Sequence, residues 1–159
     1  MKLALVSRDG VINEVVDGGV THRTQLRLID GSIAALAQLS KAGYTLIILT
    51  HQPGLSRGLF DLDELEAIHS EITHNVEEHG GEIAAIFYCP HDEQDRCHCR
   101  PPDIGLLDAI EMEFDCNTAD AVYFYHSDND KAMADTKSCK GFFCDTKDHS
   151  LINMIQKVL

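Results

Sequence analysis

Basic residues are scarce. The chain carries 13 lysines and arginines against 26 aspartates and glutamates, a formal net charge of -13. A surface of that sign repels phosphate-rich polymers and anionic lipids, which argues against nucleic acid and membrane surfaces as partners. Long apolar runs are missing as well. No stretch approaches the roughly 20 residues that cross a bilayer. Met1-Lys2 followed by Leu3-Ala4-Leu5-Val6 is too short for the core of a signal peptide, so a cytoplasmic location is expected. Internal repeats, low-complexity tracts and linkers are absent, and 159 residues then predict one domain over 1–159. A hydrophobic content of 44% excludes a disordered chain.

What is present is a regular alternation of strand and helix signals. Leu3-Ala4-Leu5-Val6 is a short apolar run ending in the polar turn Ser7-Arg8-Asp9-Gly10. Such a run reads as a buried central strand of a parallel sheet. Residues 12–29 lack periodicity and read as an extended loop or flap over the edge of that strand, and a loop of such length is usually functional. Asp30 is expected to cap a helix with Ile33, Leu36 and Leu39 on one face, ended by Gly43. A second strand runs from Tyr44 to Leu49 and stops at Thr50-His51-Gln52-Pro53-Gly54. Asp61 then opens a helix with Glu64 in capping-box relation and Leu62, Leu65, Ile68, Ile72 and Val76 as its apolar face. Later signals predict a strand at Ile83–Tyr88, a helix at 103–114 and a strand at Ala121–Tyr125. A helix from about Asp128, a strand at Gly141–Cys144 and a last helix to Leu159 complete the series. The alternation predicts an α/β fold with a doubly wound parallel sheet. Chemistry in such sheets sits beyond the carboxyl ends of the strands, which places Ser7 and Asp9 at the expected active edge.

Cysteine is the second signal. Cys89, His91, Cys97 and Cys99 bring three thiols and an imidazole into eleven residues, the donor set of a closed structural zinc site. A disulfide would leave one thiol over and is unusual in the cytosol. Buried core cysteines do not suit the charged, Pro-flanked stretch Asp92-Glu93-Gln94-Asp95-Arg96. His98 lies inside the cluster as a competing ligand, and Cys116, Cys139 and Cys144 are expected to face the core.

The first turn resembles the Asp-x-Asp-Gly-Thr motif of the haloacid dehalogenase (HAD) superfamily. Together with the zinc cluster, the chain is similar to the heptose 1,7-bisphosphate and histidinol-phosphate phosphatases, which lack a large cap domain. Leu49-Thr50-His51-Gln52-Pro53-Gly54-Leu55-Ser56-Arg57-Gly58 resembles their Thr-Asn-Gln-Ser-Gly-Ile-Ala-Arg-Gly segment. Cys97-His98-Cys99-Arg100-Pro101-Pro102 resembles Cys-x-Cys-Arg-Lys-Pro, and His126-Ser127-Asp128 with Met133 resembles Val-Gly-Asp…Asp-Met.

The resemblance implies roles. Asp9 stands at the acid/base position, Thr50 at a phosphate contact, Arg57 and Arg100 at anion contacts, and Asp128 at a magnesium position. It also exposes losses: Ser7 replaces the nucleophilic aspartate, Val11 the threonine, Pro101 the lysine that neutralises the phosphoryl group, and Ala132 the second acid. Phosphoryl transfer rests on positioning and on cations that offset developing charge. Magnesium wants several hard oxygens, and Asp128 is expected to be the one carboxylate left in direct contact, with Asp130 helping only after a two-residue shift. Loss of a nucleophile alone costs on the order of 10⁶ in rate elsewhere. The expectation is therefore a non-catalytic homologue that retains zinc, binds magnesium poorly, and binds a phosphorylated small molecule or a protein partner. The alternative is an active sugar-phosphate phosphatase of altered mechanism using Asp9 and Asp128 with magnesium.

Overall fold

A computed structural model describes residues 1–159. Leu3–Ser7 forms β1, all five of its residues buried. Thr45–His51 (β2) and Val122–Tyr125 (β4) flank it in parallel, with Leu5 opposite Ile47 on one side and Tyr123 on the other. Ala85–Cys89 (β3) and Lys140–Phe143 (β5) form the two edges, giving the order β3-β2-β1-β4-β5 with every pair parallel. The doubly wound parallel sheet expected from the sequence is the fold observed.

Alternation along β1 divides the core. Ala4 and Val6 point to one face, where Ile33, Leu36 and Leu39 of α1 (Ser32–Lys41) pack with Ile72 and Val76 of α2 (Leu62–Glu78). Leu151 and Met154 of α5 (Leu151–Met154) complete that layer. Leu3 and Leu5 point to the other face. There Leu106, Leu107 and Ile110 of α3 (Gly105–Phe114) meet Met133 and Ala134 of α4 (Asp128–Thr136). Each fully buried leucine or isoleucine in these layers contributes roughly 2 kcal/mol from apolar burial.

Several boundaries depart from the sequence expectation. Gly31, with φ of 79°, rather than Asp30, is the residue before α1, and no side chain caps that helix. Asp61 does cap α2, accepting from the Glu64 N–H at 2.9 Å. The Glu64 carboxylate, however, does not return to the cap. It accepts from the backbone N–H and Nε of Arg23 at 2.8 and 3.0 Å, tying the 12–29 segment to α2. That segment is partly core, since Ile12, Val20 and Ile29 are buried. The last helix is short: α5 gives way to a 3₁₀ turn at Ile155–Lys157, and Val158 leaves helical geometry with φ of -122°.

Because the strands are parallel, Ser7, His51, Cys89 and Tyr125 close their strands at one edge of the sheet. The turn after β1 needs a glycine there. Gly10 has φ of 88°, and a Cβ at that position would lie 2.5 Å from the His126 ring.

Candidate active site and metal centre

The end of β1 supplies three consecutive polar side chains, and the structure fixes each differently. Ser7 is buried. Its Oγ donates to Asp130 Oδ2 at 2.6 Å and lies 3.1 Å from the Tyr123 hydroxyl. Burial pushes the Tyr123 phenol well above its ordinary pKa, so it stays protonated and donates to Ser7. Both partners hold the Ser7 hydroxyl in one orientation.

Arg8 is fully buried. Its Nη2 donates to Asp9 Oδ1 at 2.8 Å, and its Nη1 donates to His69 Nε2 at 3.0 Å. Burial and the Arg8 charge lower the His69 pKa to about 4, which keeps the imidazole neutral and able to accept.

Asp9 is surrounded by donors. Oδ1 also accepts from Asn13 Nδ2 at 3.1 Å, while Oδ2 accepts from Thr50 Oγ1 at 2.8 Å and Gln52 Nε2 at 3.3 Å. Burial by itself would raise the Asp9 pKa. The Arg8 charge and the hydrogen bonds from Arg8, Asn13 and Thr50 outweigh it and hold the carboxyl below its ordinary range. Four donors converge on the Asp9 carboxylate and favour its ionised form.

These groups line a cavity of about 400 Å³ with Val15, His51, Pro101, His126, Ser127, Asn129 and Asp130. A neighbouring cavity of about 300 Å³ shares Asp9, Val15 and His51 and adds Arg57, Gly18, Gly19 and Thr21. The 12–29 segment thus does lie over the site. Thr50 and Arg57 join Ser7 and Asp9 in this pair of cavities. Arg57 is exposed and loosely paired with Asp92 at 3.7 Å. Arg100 lines neither cavity; its Nη1 lies 3.6 Å from Glu93.

Asp128 is a correction. It is exposed and absent from both linings, whereas Asp130, two residues on, reaches Ser7. Ser127 caps α4 by accepting from the Asp130 N–H at 3.1 Å. That cap sets the helix phase so that the third residue of the first turn, not the first, faces the strand ends. Burial raises the Asp130 pKa.

His51, His126, Asp130 and Tyr123 were not singled out as site residues from the sequence. Asp130 alone had a signal, the two-residue shift. Both Asp9 carboxylate oxygens accept from donors, Asp130 accepts from Ser7, and Asp128 lines neither cavity.

The metal cluster assembles as the sequence predicts. One donor atom from each of Cys89, His91, Cys97 and Cys99 lies within 4.8 Å of the others. Cys89 Sγ is 3.7 Å from Cys97 Sγ and 3.8 Å from His91 Nδ1, and His91 Nδ1 is 3.3 Å from Cys99 Sγ. Tetrahedral zinc with thiolates at ~2.3 Å separates its donors by roughly 3.5–3.8 Å. The Cys89–Cys97 and Cys89–His91 separations match that spacing, Cys99 Sγ sits closer to Cys89 Sγ at 2.8 Å, and three thiols with one imidazole are a donor set that zinc accepts. His98 stays outside it and gives its backbone carbonyl to the Gly105 N–H. All six cysteines are free thiols.

The metal loop is joined to the site through three consecutive carbonyls. Those of Cys89, Pro90 and His91 accept from Gln52 N, Ser56 N and His51 Nε2 at 2.8, 3.1 and 2.8 Å. Gln52 and His51 in turn border Asp9.

No protein-family model matches the chain. Curated relatives do. The D-glycero-beta-D-manno-heptose-1,7-bisphosphate 7-phosphatase of Pseudomonas putida is 46% identical over 114 residues, covering 72% of this chain and 65% of the relative. The Pseudomonas aeruginosa enzyme of that name is 37% identical over 138 residues, covering 87% and 78%. The chain thus spans just under two thirds of the first relative and more of the second.

Among solved structures, the D,D-heptose 1,7-bisphosphate phosphatase of Bordetella bronchiseptica, complexed with magnesium and phosphate, superposes with a TM-score of 0.88. It is 32% identical, and the match covers 100% of this chain and 87% of that one. The Burkholderia thailandensis enzyme gives a TM-score of 0.67 at 26% identity, with coverage of 100% and 86%. Identity of this extent along most of the chain, on a shared five-stranded parallel sheet, places the protein in the D,D-heptose 1,7-bisphosphate phosphatase family of the HAD superfamily.

Proposed function

We propose that this protein binds a phosphorylated sugar or related phosphomonoester at the ends of β1, β2 and β4 without efficient turnover. In this reading Cys89, His91, Cys97 and Cys99 hold a structural zinc. The observation that carries it is the fixed hydroxyl of Ser7 at the family's nucleophile position, held between Asp130 and Tyr123.

Three further features support it. The one cation lining the 400 Å³ cavity, Arg8, is turned into Asp9 and His69 and has no charge free for a phosphoryl group. Four donors favour the ionised form of Asp9, which opposes its use as an acid for the leaving group. Binding still has its elements: the Ser127 hydroxyl, Asn129, the N-terminus of α4, and Arg57 in the adjoining cavity. A phosphatase acting through Asp9 and Asp128 has the geometry against it, because Asp128 lies outside the cavities.

Restoring the acid at position 7 alone would set it against the Asp130 carboxylate at hydrogen-bonding distance. The test is therefore the double variant Ser7→Asp/Asp130→Asn, assayed for phosphate release from heptose 1,7-bisphosphate with magnesium beside the unmodified protein. The expected result is release near background in the unmodified protein and a partial gain in the double variant, limited by Pro101 at the lysine position and by the donors held on Asp9. Rapid release by the unmodified protein would overturn the reading, whether or not it survives Ser7→Ala.

A further inference from the structure

A larger open space lies next to the second of these cavities, sharing Phe60 with it, on the β3 side of α2. One pocket of about 700 Å³ sits between the 55–63 segment and the end of β3, with Leu55, Phe60, Leu62, Tyr88 and Pro90 in its walls. A second, about 400 Å³, continues along α2 and shares Leu62 and Tyr88 with the first, adding Leu65 and Ile86. Together they form one groove with an apolar floor, and its shared residues are open to solvent: Leu62 is 51% and Tyr88 38% exposed.

Two independent features say what would fill it. The first is the strand beside it. β3 is an edge of the sheet, hydrogen-bonded only to β2, and four of its five residues are partly or fully exposed. Ile86 and Tyr88 alternate toward the groove. An unpartnered strand beside an apolar trough is a template for an added extended chain, with alternate side chains entering the trough.

The second is charge. Asp61, Asp63, Glu66, Glu77 and Asp95 line the groove, no lysine or arginine does, and none of these five carboxylates is ion-paired. A second copy of the chain, itself at -13, is disfavoured by the same charge.

We propose that this groove docks an extended peptide segment of a partner protein, with apolar and basic residues alternating, which pairs with β3 and lays its apolar side chains along Leu62, Tyr88 and Ile86. The groove also backs onto the ligand site. His69 lines it while its Nε2 accepts from Arg8, the residue that orients Asp9.

The test uses the full chain loaded with zinc and three fluorescent heptapeptides: one alternating lysine with valine and phenylalanine, one with glutamate for lysine, and one with proline at two central positions. The basic peptide is expected to bind saturably, the glutamate and proline versions at least tenfold more weakly. Glu66→Lys/Glu77→Lys, two exposed helix positions, is expected to weaken the basic peptide at least tenfold at an unchanged melting temperature. Amide exchange at Ala85–Cys89 is expected to slow on binding.

Tight binding untouched by the double variant, by proline or by the charge of the peptide would overturn the proposal. So would absence of saturable binding, a helical signal from the bound peptide, or self-association of the chain through this face.

Discussion

At the scale of single residues, the contrast between Ser7 and Asp9 governs the account. Both were legible in the sequence because Ser7 ends a fully buried strand and Asp9 follows in the turn beyond it, at the sheet's carboxyl edge. Asp128 was misplaced for a phase reason. Motif spacing fixes which residue follows the strand, but the Ser127 cap decides which side chain of the first turn faces inward, and that is Asp130. Arg8 and His69 lie 61 positions apart and carried no joint signal.

Their pairing makes a pH prediction. His69 has a folded pKa of about 4 against 6.5 ordinarily. Between those values the unfolded chain binds the proton and the folded one does not, so stability falls as pH drops from about 6.5 to about 4. The loss from this residue is on the order of 3 kcal/mol. Urea unfolding across that range is expected to show a shallower loss in His69→Gln than in the parent, and identical slopes would contradict the pairing.

At the scale of elements, the loop that carries the Cys/His cluster and the β2–α2 connection form one unit. Three consecutive carbonyls of the first are satisfied by the second, so disorder in the metal loop would free the groups that border Asp9. Chelating the metal is expected to lower the melting temperature and speed amide exchange at Gln52 and Ser56 before it affects β1; unchanged exchange there would show the loop to be independent.

The cap at Asp61 makes a smaller prediction. Asp61→Ala is expected to cost about 1 kcal/mol by chemical denaturation, because the Glu64 N–H loses its acceptor. The helix core faces were legible from 3.6-residue periodicity: α1 buries Ile33, Leu36 and Leu39, and α2 buries Leu65, Ile68, Ile72 and Val76, but Leu62, expected on the same face, stays exposed at the first turn. Their starts were not equally legible. Asp61 competes with nothing nearby, whereas Gly31 reaches the left-handed region and displaces Asp30 as the boundary. The final helix was overestimated because Leu151, Met154 and Ile155 bury with helical spacing whether the turn that follows is α or 3₁₀.

At the scale of the whole molecule, parallel pairing brings the ends of β1, β2 and β4 together and leaves β3 open at the rim. The fold class was readable because every strand signal was followed by a helix signal. The metal cluster was readable because its four donors are close in sequence. The chemistry of the pocket depends on contacts between β1, β2, α2 and α4, and no local pattern reports those.

Members of this family named as phosphatases set the expectation of turnover, and the residues at the β1 end set the opposite one. The most direct test measures equilibrium binding and phosphate release on the same zinc-loaded preparation, with heptose 1,7-bisphosphate and magnesium. The account predicts saturable binding by calorimetry, weakened by Arg57→Ala, with no phosphate released beyond background. Steady multiple-turnover release, or no binding by the folded protein, would contradict it.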